Sequence, residues 1–323
     1  MILRRGSAAI ERLISVDVLI VGLAVLVGAW IRLNYLTQSD FPLNDGGLFY
    51  SMANDLIRNG FALPKYTSYN YMQIPFAYPF FPIYVIAGLQ AWLGIDLLDT
   101  LHYLPFLVNL ATIPVIFSLM KKLTKSTEIA GFAILTYVLI RPGYEWFIFG
   151  GGITRSMGWL FAMLALNIYY DSTVHFQKRH YFFLPVCMAL TFASHLEIGW
   201  FTSFSIAVYF VFLSRRFHGA IFLSIAAVLA FILLSPYWLS VMNLHGADVF
   251  LNALHSGEYK LDIPIVKLLY FNFTHEGLLN IFAVLSLLGL MWNLINRKYF
   301  LPAWLAAIVF LDPRSVDRSV AIV

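Results

Sequence analysis

Charge is what this sequence has least of. Asp, Glu, Lys and Arg make up 12% of its 323 residues, where an ordinary soluble domain carries roughly a quarter. No stretch between the apolar runs is long enough for a soluble domain of useful size. The single cysteine, Cys187, excludes an intrachain disulfide, and it sits in an apolar run as a small core residue would. An excess of 21 Lys and Arg over 17 Asp and Glu gives a net charge of only +4. The cations are concentrated in short connections, which argues against a nucleic-acid partner and makes them reporters of topology. Internal repeats, low-complexity tracts and linkers are missing as well.

What the chain does have is apolar length. Hydrophobic residues make up 60% of it, and the mean hydropathy is +0.77. Apolar runs of about 17 to 25 residues, long enough to cross a hydrocarbon core about 30 Å thick, recur from end to end. This composition predicts an integral membrane protein, an all-α polytopic transmembrane helical bundle forming a single domain over 1–323. The first run, Val16 to Leu33, is too long for a signal-peptide core and lacks a small-residue cleavage site, so it is read as a retained span. Arg4, Arg5 and Arg12 precede it, which puts the N-terminus in the cytoplasm and the loop 37–75 outside.

Further spans are expected at about Phe76–Leu93, Leu101–Met120, Ile129–Phe149, Ser156–Tyr170, Phe182–Leu213, Ala220–Val241, Leu278–Ile295 and Leu301–Leu311. The basic connections KKLTK, HFQKRH, SRRFHG and NRKY are then cytoplasmic. Two apolar segments separate the outer Pro75 from the cytoplasmic Lys121 where an odd number of crossings is needed, so one of them is expected to be re-entrant. The run Phe182 to Leu213 exceeds the bilayer as one helix and must break, with SHLEIG as its polar point. A hairpin whose tip carries His195 and Glu197 is the simplest geometry. The ending LDPRSVDRSVAIV stops as a new apolar stretch begins, the pattern of a chain truncated at its C-terminus.

Three stretches carry candidate chemistry. The first, LNDGGLFYSMANDLIRN, places Asp45 ahead of an amphipathic helix expected to lie on the membrane surface, with Leu48, Met52, Leu56, Phe49 and Ile57 on its apolar side. Asp45 is either a plain N-cap of that helix or a carboxylate available at the outer face. The second, YNYMQIPFAYPFFPIYV, is either an interfacial aromatic belt or a wall, including Tyr71 and Tyr78, on which a sugar ring or prenyl chain packs. The third, FGGGITR, joins Gly151, Gly152 and Arg155 ahead of a helix. It is either a flexible turn with a snorkelling arginine or a phosphate cradle built from exposed N–H groups, and it lacks the spacing of a nucleotide P-loop. His195 and Glu197, at i and i+2, share no helical face, so a satisfied polar cluster is expected ahead of a divalent-metal pair. The sequence Asn272-Phe273-Thr274 is a bare glycosylation sequon, and Arg314 is a further outer-face cation.

The order of these parts, an inner N-terminus, one span, an outer loop opening LNDGGLFYSMANDL and then the aromatic, proline-rich IPFAYPFFPIYV, resembles the C-type (GT-C) glycosyltransferases. Within them it is most similar to the bacterial relatives of protein O-mannosyltransferases and aminoarabinose transferases. The resemblance spans about the first two hundred residues and rests on architecture plus short degenerate motifs. It implies transfer of a sugar from a polyprenyl-phosphate donor to a lipid, glycan or protein acceptor, at the extracytoplasmic face of a bacterial cytoplasmic membrane. The family's first-loop acid falls on Asp45, as general base or acceptor-positioning carboxylate. Many relatives carry a second acid next to it, where this chain has Gly46, so a paired-acid or shared-metal mechanism is not carried over. Donor-phosphate binding would fall to Arg155, with Lys65, Arg314 and His195 as lesser candidates, and the pocket to Tyr71, Tyr78, Gly151, Gly152, His195 and Glu197. A divalent metal is left unassigned. The rival readings are a polytopic transporter or lipid flippase, and a non-catalytic scaffold.

Overall fold

The computed structural model describes residues 15–42, 44–149, 152–214, 217–255, 281–312 and 316–322. In chain order the helices are α1 (Val16–Leu36), α2 (Gly46–Arg58), α3 (Phe81–Leu93), α4 (Leu97–Thr124), α5 (Thr127–Leu139), α6 (Glu145–Ile148), α7 (Gly152–Val174), α8 (His180–Ser194), α9 (Leu196–Leu213), α10 (Phe217–Leu233), α11 (Ser235–His245), α12 (Asp248–His255), α13 (Ile281–Ile295), α14 (Phe300–Leu311) and α15 (Val316–Ser319). Among the described residues the only ladder is β1 (Tyr66–Thr67) paired antiparallel with β2 (Ile74–Pro75), between α2 and α3. The protein is therefore all-α. Among the described residues α1, α4 and α9 are each long and apolar enough to cross a membrane, and α10 with α11, bent by 49° at their junction, are so together if the pair is one broken span and not a re-entrant loop.

α7 is the central post, packed against α4, α8 and α9. Its Trp159, Met163 and Leu166 meet Ile116 of α4, Tyr137 of α5, Leu184 of α8, Phe201 of α9 and Trp304 of α14 in the main buried cluster. Polar ties fix one end of the bundle. Lys121, near the end of α4, pairs with Asp17 in the first turn of α1. Its neighbour Lys122 donates to Asn167 and Asp171 near the end of α7, each at 2.9 Å, and the Tyr170 hydroxyl donates to the Lys122 carbonyl at 2.8 Å. The start of α1, the KKLTK turn and the end of α7 thus share one end, and the start of α7 lies at the other.

The Lys121–Asp17 pair also resolves the count of crossings. α1 leaves that end and α4 returns to it, so everything between them begins and finishes at the far end. The expected span Phe76–Leu93 is helical only over α3, 13 residues or about 20 Å at 1.5 Å per residue, too short for the hydrocarbon core. α3 is the segment that fails to cross. The expected span Ile129–Phe149 is likewise interrupted. α5 stops at Leu139, Ile140 is extended ahead of Arg141-Pro142-Gly143, and α6 follows. Pro142 has no N–H to donate back to the Val138 carbonyl, so α5 cannot run on through it, and the result is a strap, residues 140–149, in place of the last helical turns. The predicted break in Phe182–Leu213 falls at His195, extended at φ −158° between α8 and α9. In Ala220–Val241 the bend precedes Pro236, which cannot donate to the helix before it.

One expectation is overturned. α2 does not rest its apolar face on lipid. Phe49, Met52, Ala53 and Leu56 are buried against Phe76, Ile83 and Ile86 around α3, Leu97 and Leu101 of α4, and Ile153 and Met157 of α7. The helical period of the apolar residues is as expected, but a period alone does not say whether lipid or protein fills the other side. Asp55 fixes the arrangement from the polar side, accepting from the Thr67 hydroxyl at 2.9 Å and from the Ser68 amide and hydroxyl at 2.8 and 2.7 Å.

Leu56, fully buried in this second cluster, gives a direct check. Leu56→Ala should cost about 2–5 kcal/mol, as buried Leu→Ala changes do. A thermal midpoint in detergent unchanged from wild type would return α2 to the lipid surface.

Candidate functional site

The residue before α2, Asp45, occupies the cap position, yet its carboxylate makes no capping hydrogen bond. It faces Arg155, in the first turn of α7, with Arg155 Nη2 donating to Asp45 Oδ2 at 3.5 Å. Two groups that are 110 residues apart in the chain therefore meet at the same end of the bundle. Of the two readings of Asp45, the cap is the one that fails. The pair is loose and unequal, with the Arg155 side chain 15% exposed and that of Asp45 43%. Arg155 Nε and Nη1 are buried with no hydrogen-bond partner among the described residues. Such donors normally find partners in folded proteins, and leaving them unmade is costly. A pre-placed fork of N–H groups beside a helix start is suited to an anion.

The strap aims this guanidinium. Trp146 of α6 lies under it, the Arg155 Cζ being 5.6 Å from the ring centroid. Strap and bundle are joined through Arg32 of α1, which is fully buried. Its Nε donates to Asn109 Oδ1 at 2.6 Å, its Nη1 to the Gly28 and Val138 carbonyls at 3.2 and 3.3 Å, and Tyr144 covers it at 4.9 Å. Asn109 in turn donates to the Gly143 carbonyl at 3.4 Å. Glu145 pairs with Arg141 and accepts from the Tyr35 hydroxyl at 3.0 Å. Between strap and α7 only a glycine serves at 152, because a Cβ there would collide with the Phe147 carbonyl.

Tyr78 forms the next wall. Its hydroxyl shares a 3.4 Å hydrogen bond with Thr154, and its ring meets Phe49 at 5.1 Å and His195 at 6.3 Å. Burial pushes the phenol above its ordinary pKa. Arg155 and the Thr154 bond pull it back down, while Asp45 and Glu197 push it further up. Tyr78 thus sits within electrostatic reach of both carboxylates and stays a neutral donor. His195 is buried beside Gly158, where an added Cβ would press on the His195 Cβ at 3.3 Å. Glu197 accepts from Arg318 of α15 at 3.3 Å. Beside that pair is a cavity of about 10 Å³ lined by Phe147, Trp159, Glu197, Asp312, Arg318 and Ser319, room for about one water.

Other candidates stand elsewhere. Lys65 is not gathered in with Asp45 and Arg155. Its ammonium lies 5.5 Å from the Tyr66 ring centroid, and that ring meets His245 at 5.7 Å. Tyr71 is 95% exposed at the β1–β2 turn and lines no pocket at the site. Gly151, Arg314 and the Asn272 sequon lie outside the described residues. Among the described residues no three His, Cys, Asp or Glu side chains come together as a metal cage. Thr154, Trp146 and Arg318 went unread in the sequence. Trp146 and Glu145 lie in RPGYEW, inside the expected span Ile129–Phe149, and Arg318 lies four residues beyond Arg314.

An apolar groove of about 320 Å³ lies between α3, α8, α10 and α11. Phe81 and Tyr84 of α3, Ala189 and Ala193 of α8, Leu233 of α10 and Tyr237 of α11 line it. It is tied to the site by sequence, because Phe80 on its wall is two residues from Tyr78 and Ala193 is two from His195. The Tyr237 hydroxyl closes one side by donating to the Ala77 carbonyl at 3.0 Å.

Because Asp45 caps nothing and its ion pair is long, Asp45→Asn should leave stability within about 0.5 kcal/mol of wild type, the range of ordinary surface changes. A loss of about 1 kcal/mol or more in reversible unfolding, the size of a lost cap, would reinstate the capping role.

Comparison of the chain with protein-family models, with curated proteins and with solved structures finds no match.

Proposed function

We propose that this protein is a membrane glycosyltransferase that moves a sugar from a polyprenyl-phosphate donor to an acceptor hydroxyl at the extracytoplasmic face of a bacterial cytoplasmic membrane. The observation that carries the reading is the meeting of Asp45 and Arg155, a carboxylate and an under-coordinated guanidinium at one end of the bundle.

The reaction needs two things from a protein. The acceptor hydroxyl must lose its proton as its oxygen attacks the anomeric carbon, and the phosphate must be stabilised as the anomeric carbon–oxygen bond breaks and that oxygen keeps the electron pair. Asp45, a carboxylate whose side chain is 43% exposed, would take the proton. General-base help of this kind is worth roughly 10²–10⁴ in rate. Arg155 Nε and Nη1 are the free donors for the phosphate oxygens, in charge-assisted bonds that are stronger than neutral ones. Trp146 and Asp45 hold the fork in position beforehand, so little reorganisation is needed when charge develops on the leaving group.

The groove supplies a reason for the membrane. Its wall is apolar and includes Phe80 and Ala193, each two residues along the chain from Tyr78 and His195 respectively, so a prenyl chain seated in it would deliver its phosphate toward Arg155. A flippase would have to carry the headgroup past the bundle to the other end. That end is held by the Lys121–Asp17 and Lys122–Asp171 ion pairs, which favours the transferase.

Asp45→Asn should lower turnover of a polyprenyl-phosphate sugar by about 10²–10⁴ while donor affinity stays near wild type, and Arg155→Ala should weaken donor binding. Full turnover in a well-folded Asp45→Asn protein would remove the base assignment. Ala193→Phe fills the groove without touching either charged group. It should abolish use of a long-chain donor and spare a short-chain, water-soluble one, and equal losses for both donors would show that the groove does not hold the chain.

A further inference from the structure

The far end of α2 carries a second concavity that the proposed chemistry does not use. It is an open groove of about 320 Å³ lined by Asp55, Arg58, Asn59, Tyr66, Thr67 and Ser68, with Pro64 at its edge. Its volume is at the lower end of the roughly 300–1,000 Å³ typical of small-molecule sites. Ten residues separate Asp45 from Asp55 along α2, about 15 Å at the helical rise.

Its lining is specific in kind. It presents a carboxylate, a guanidinium, a carboxamide and the Ser68 hydroxyl beside an aromatic ring that is 43% exposed, while the Thr67 hydroxyl is buried and spent on Asp55 and the Tyr69 amide. The groups are held in place from behind. Three donors from Thr67 and Ser68 fix both oxygens of Asp55. Asn59 is fixed by donating from Nδ2 to the Ala62 carbonyl at 2.8 Å. Tyr66 is supported by the Lys65 ammonium and the edge of His245. Arg58 belongs to none of the ion pairs among the described residues.

Within the groove Asp55 offsets Arg58, so an anionic headgroup would gain only from Lys65 beside Tyr66 at its edge. An extended peptide fits poorly, because β1 is two residues long and offers little edge for strand addition. Neutral hydroxyl-rich rings, with C–H faces for Tyr66 and hydroxyl pairs for Asp55, Arg58 and Asn59, match the chemistry present. We propose that this groove binds a saccharide chain, as a remote subsite for a glycan acceptor whose reacting end lies at Asp45. The acceptor role rests on the transferase reading, whereas saccharide binding itself does not. Binding energy gathered at such a distance can serve to position the reacting end.

The test uses the full chain in phosphatidylcholine nanodiscs, with mannotriose, maltotriose and chitotriose as probes followed by saturation-transfer NMR and calorimetry. At least one trisaccharide should bind, and more tightly than its monosaccharide. Tyr66→Ala should weaken it by about ten-fold, the loss of one stacking contact, and Tyr66→Phe should restore it. Arg155→Ala, which tests the donor site, should leave trisaccharide affinity unchanged. If none of the three sugars binds, if Tyr66→Ala binds as wild type does, or if a tripeptide or phosphatidylglycerol competes for the groove, the proposal fails. If Arg155→Ala instead keeps its affinity for polyprenyl phosphate, the donor reading fails and the saccharide site stands.

Discussion

A guanidinium withdrawn from water must be given other partners or left able to take some, and this bundle contains one arginine of each kind. Arg155 keeps a single long contact to Asp45 and a ring beneath it, with Nε and Nη1 unmet. Everything else around the site follows from holding that under-coordinated group at one place. α7 provides the rigid post, the strap provides Trp146, and α2 provides the opposing carboxylate. Because the acid is itself loosely bound, neither partner neutralises the other fully, and both remain available to a third group.

Arg32 shows the more fully satisfied alternative, with only Nη2 left unmet among the described residues. It is fully buried, and two of its three nitrogens are spent on Asn109 and on two backbone carbonyls. No carboxylate pairs with it among the described residues; neutral dipoles and the Tyr144 ring solvate it. Leaving such a charge without these groups would be strongly unfavourable, so it locks α1, α4, α5 and the strap into one arrangement. The lock reaches the site because Tyr144 and Trp146 lie on the same short segment. An arginine on the first span, 123 positions from Arg155 by number (155 − 32), therefore helps to set the direction in which Arg155 points.

The all-α class, the membrane character, the break at His195 and the standing of Asp45 and Arg155 as charges at span ends could be read in the sequence, because each leaves a local trace. Apolar length declares a span, a polar insert in an overlong run declares a break, and a retained charge beside a span declares a group at the end of the bundle. What could not be read are the properties that depend on what lies opposite. The period of Phe49, Met52 and Leu56 is the same whether lipid or α3 covers it. RPGYEW looks like a plain connection until Arg32 and Tyr35 are found beneath it. Lys65 and Arg155 look alike as lone cations after a turn, and only packing sends one to Tyr66 and the other to Asp45. Tyr71 and Tyr78 sit in one aromatic run, yet the left-handed turn at Asn70 and Tyr71 carries the first into solvent and leaves the second in the wall.

The same packing explains why the site is polar although its surroundings are not. In hydrocarbon, ionisable groups persist only where protein or a watered cavity faces them, and here the two clusters of charge are sorted to opposite ends of α7. At one end Lys121, Lys122, Asp17 and Asp171 are paired closely and hold helices together. At the other end Asp45 and Arg155 are paired at 3.5 Å, and Glu197 is held back by Arg318. An ion pair that serves only structure gains from closeness, because its Coulomb energy rises as the separation falls. A pair that must open for a ligand gains from the reverse. Under the proposed reading the looser pair is the one that has to open for a ligand, while the close pairs, Arg141–Glu145 of the strap among them, hold structure.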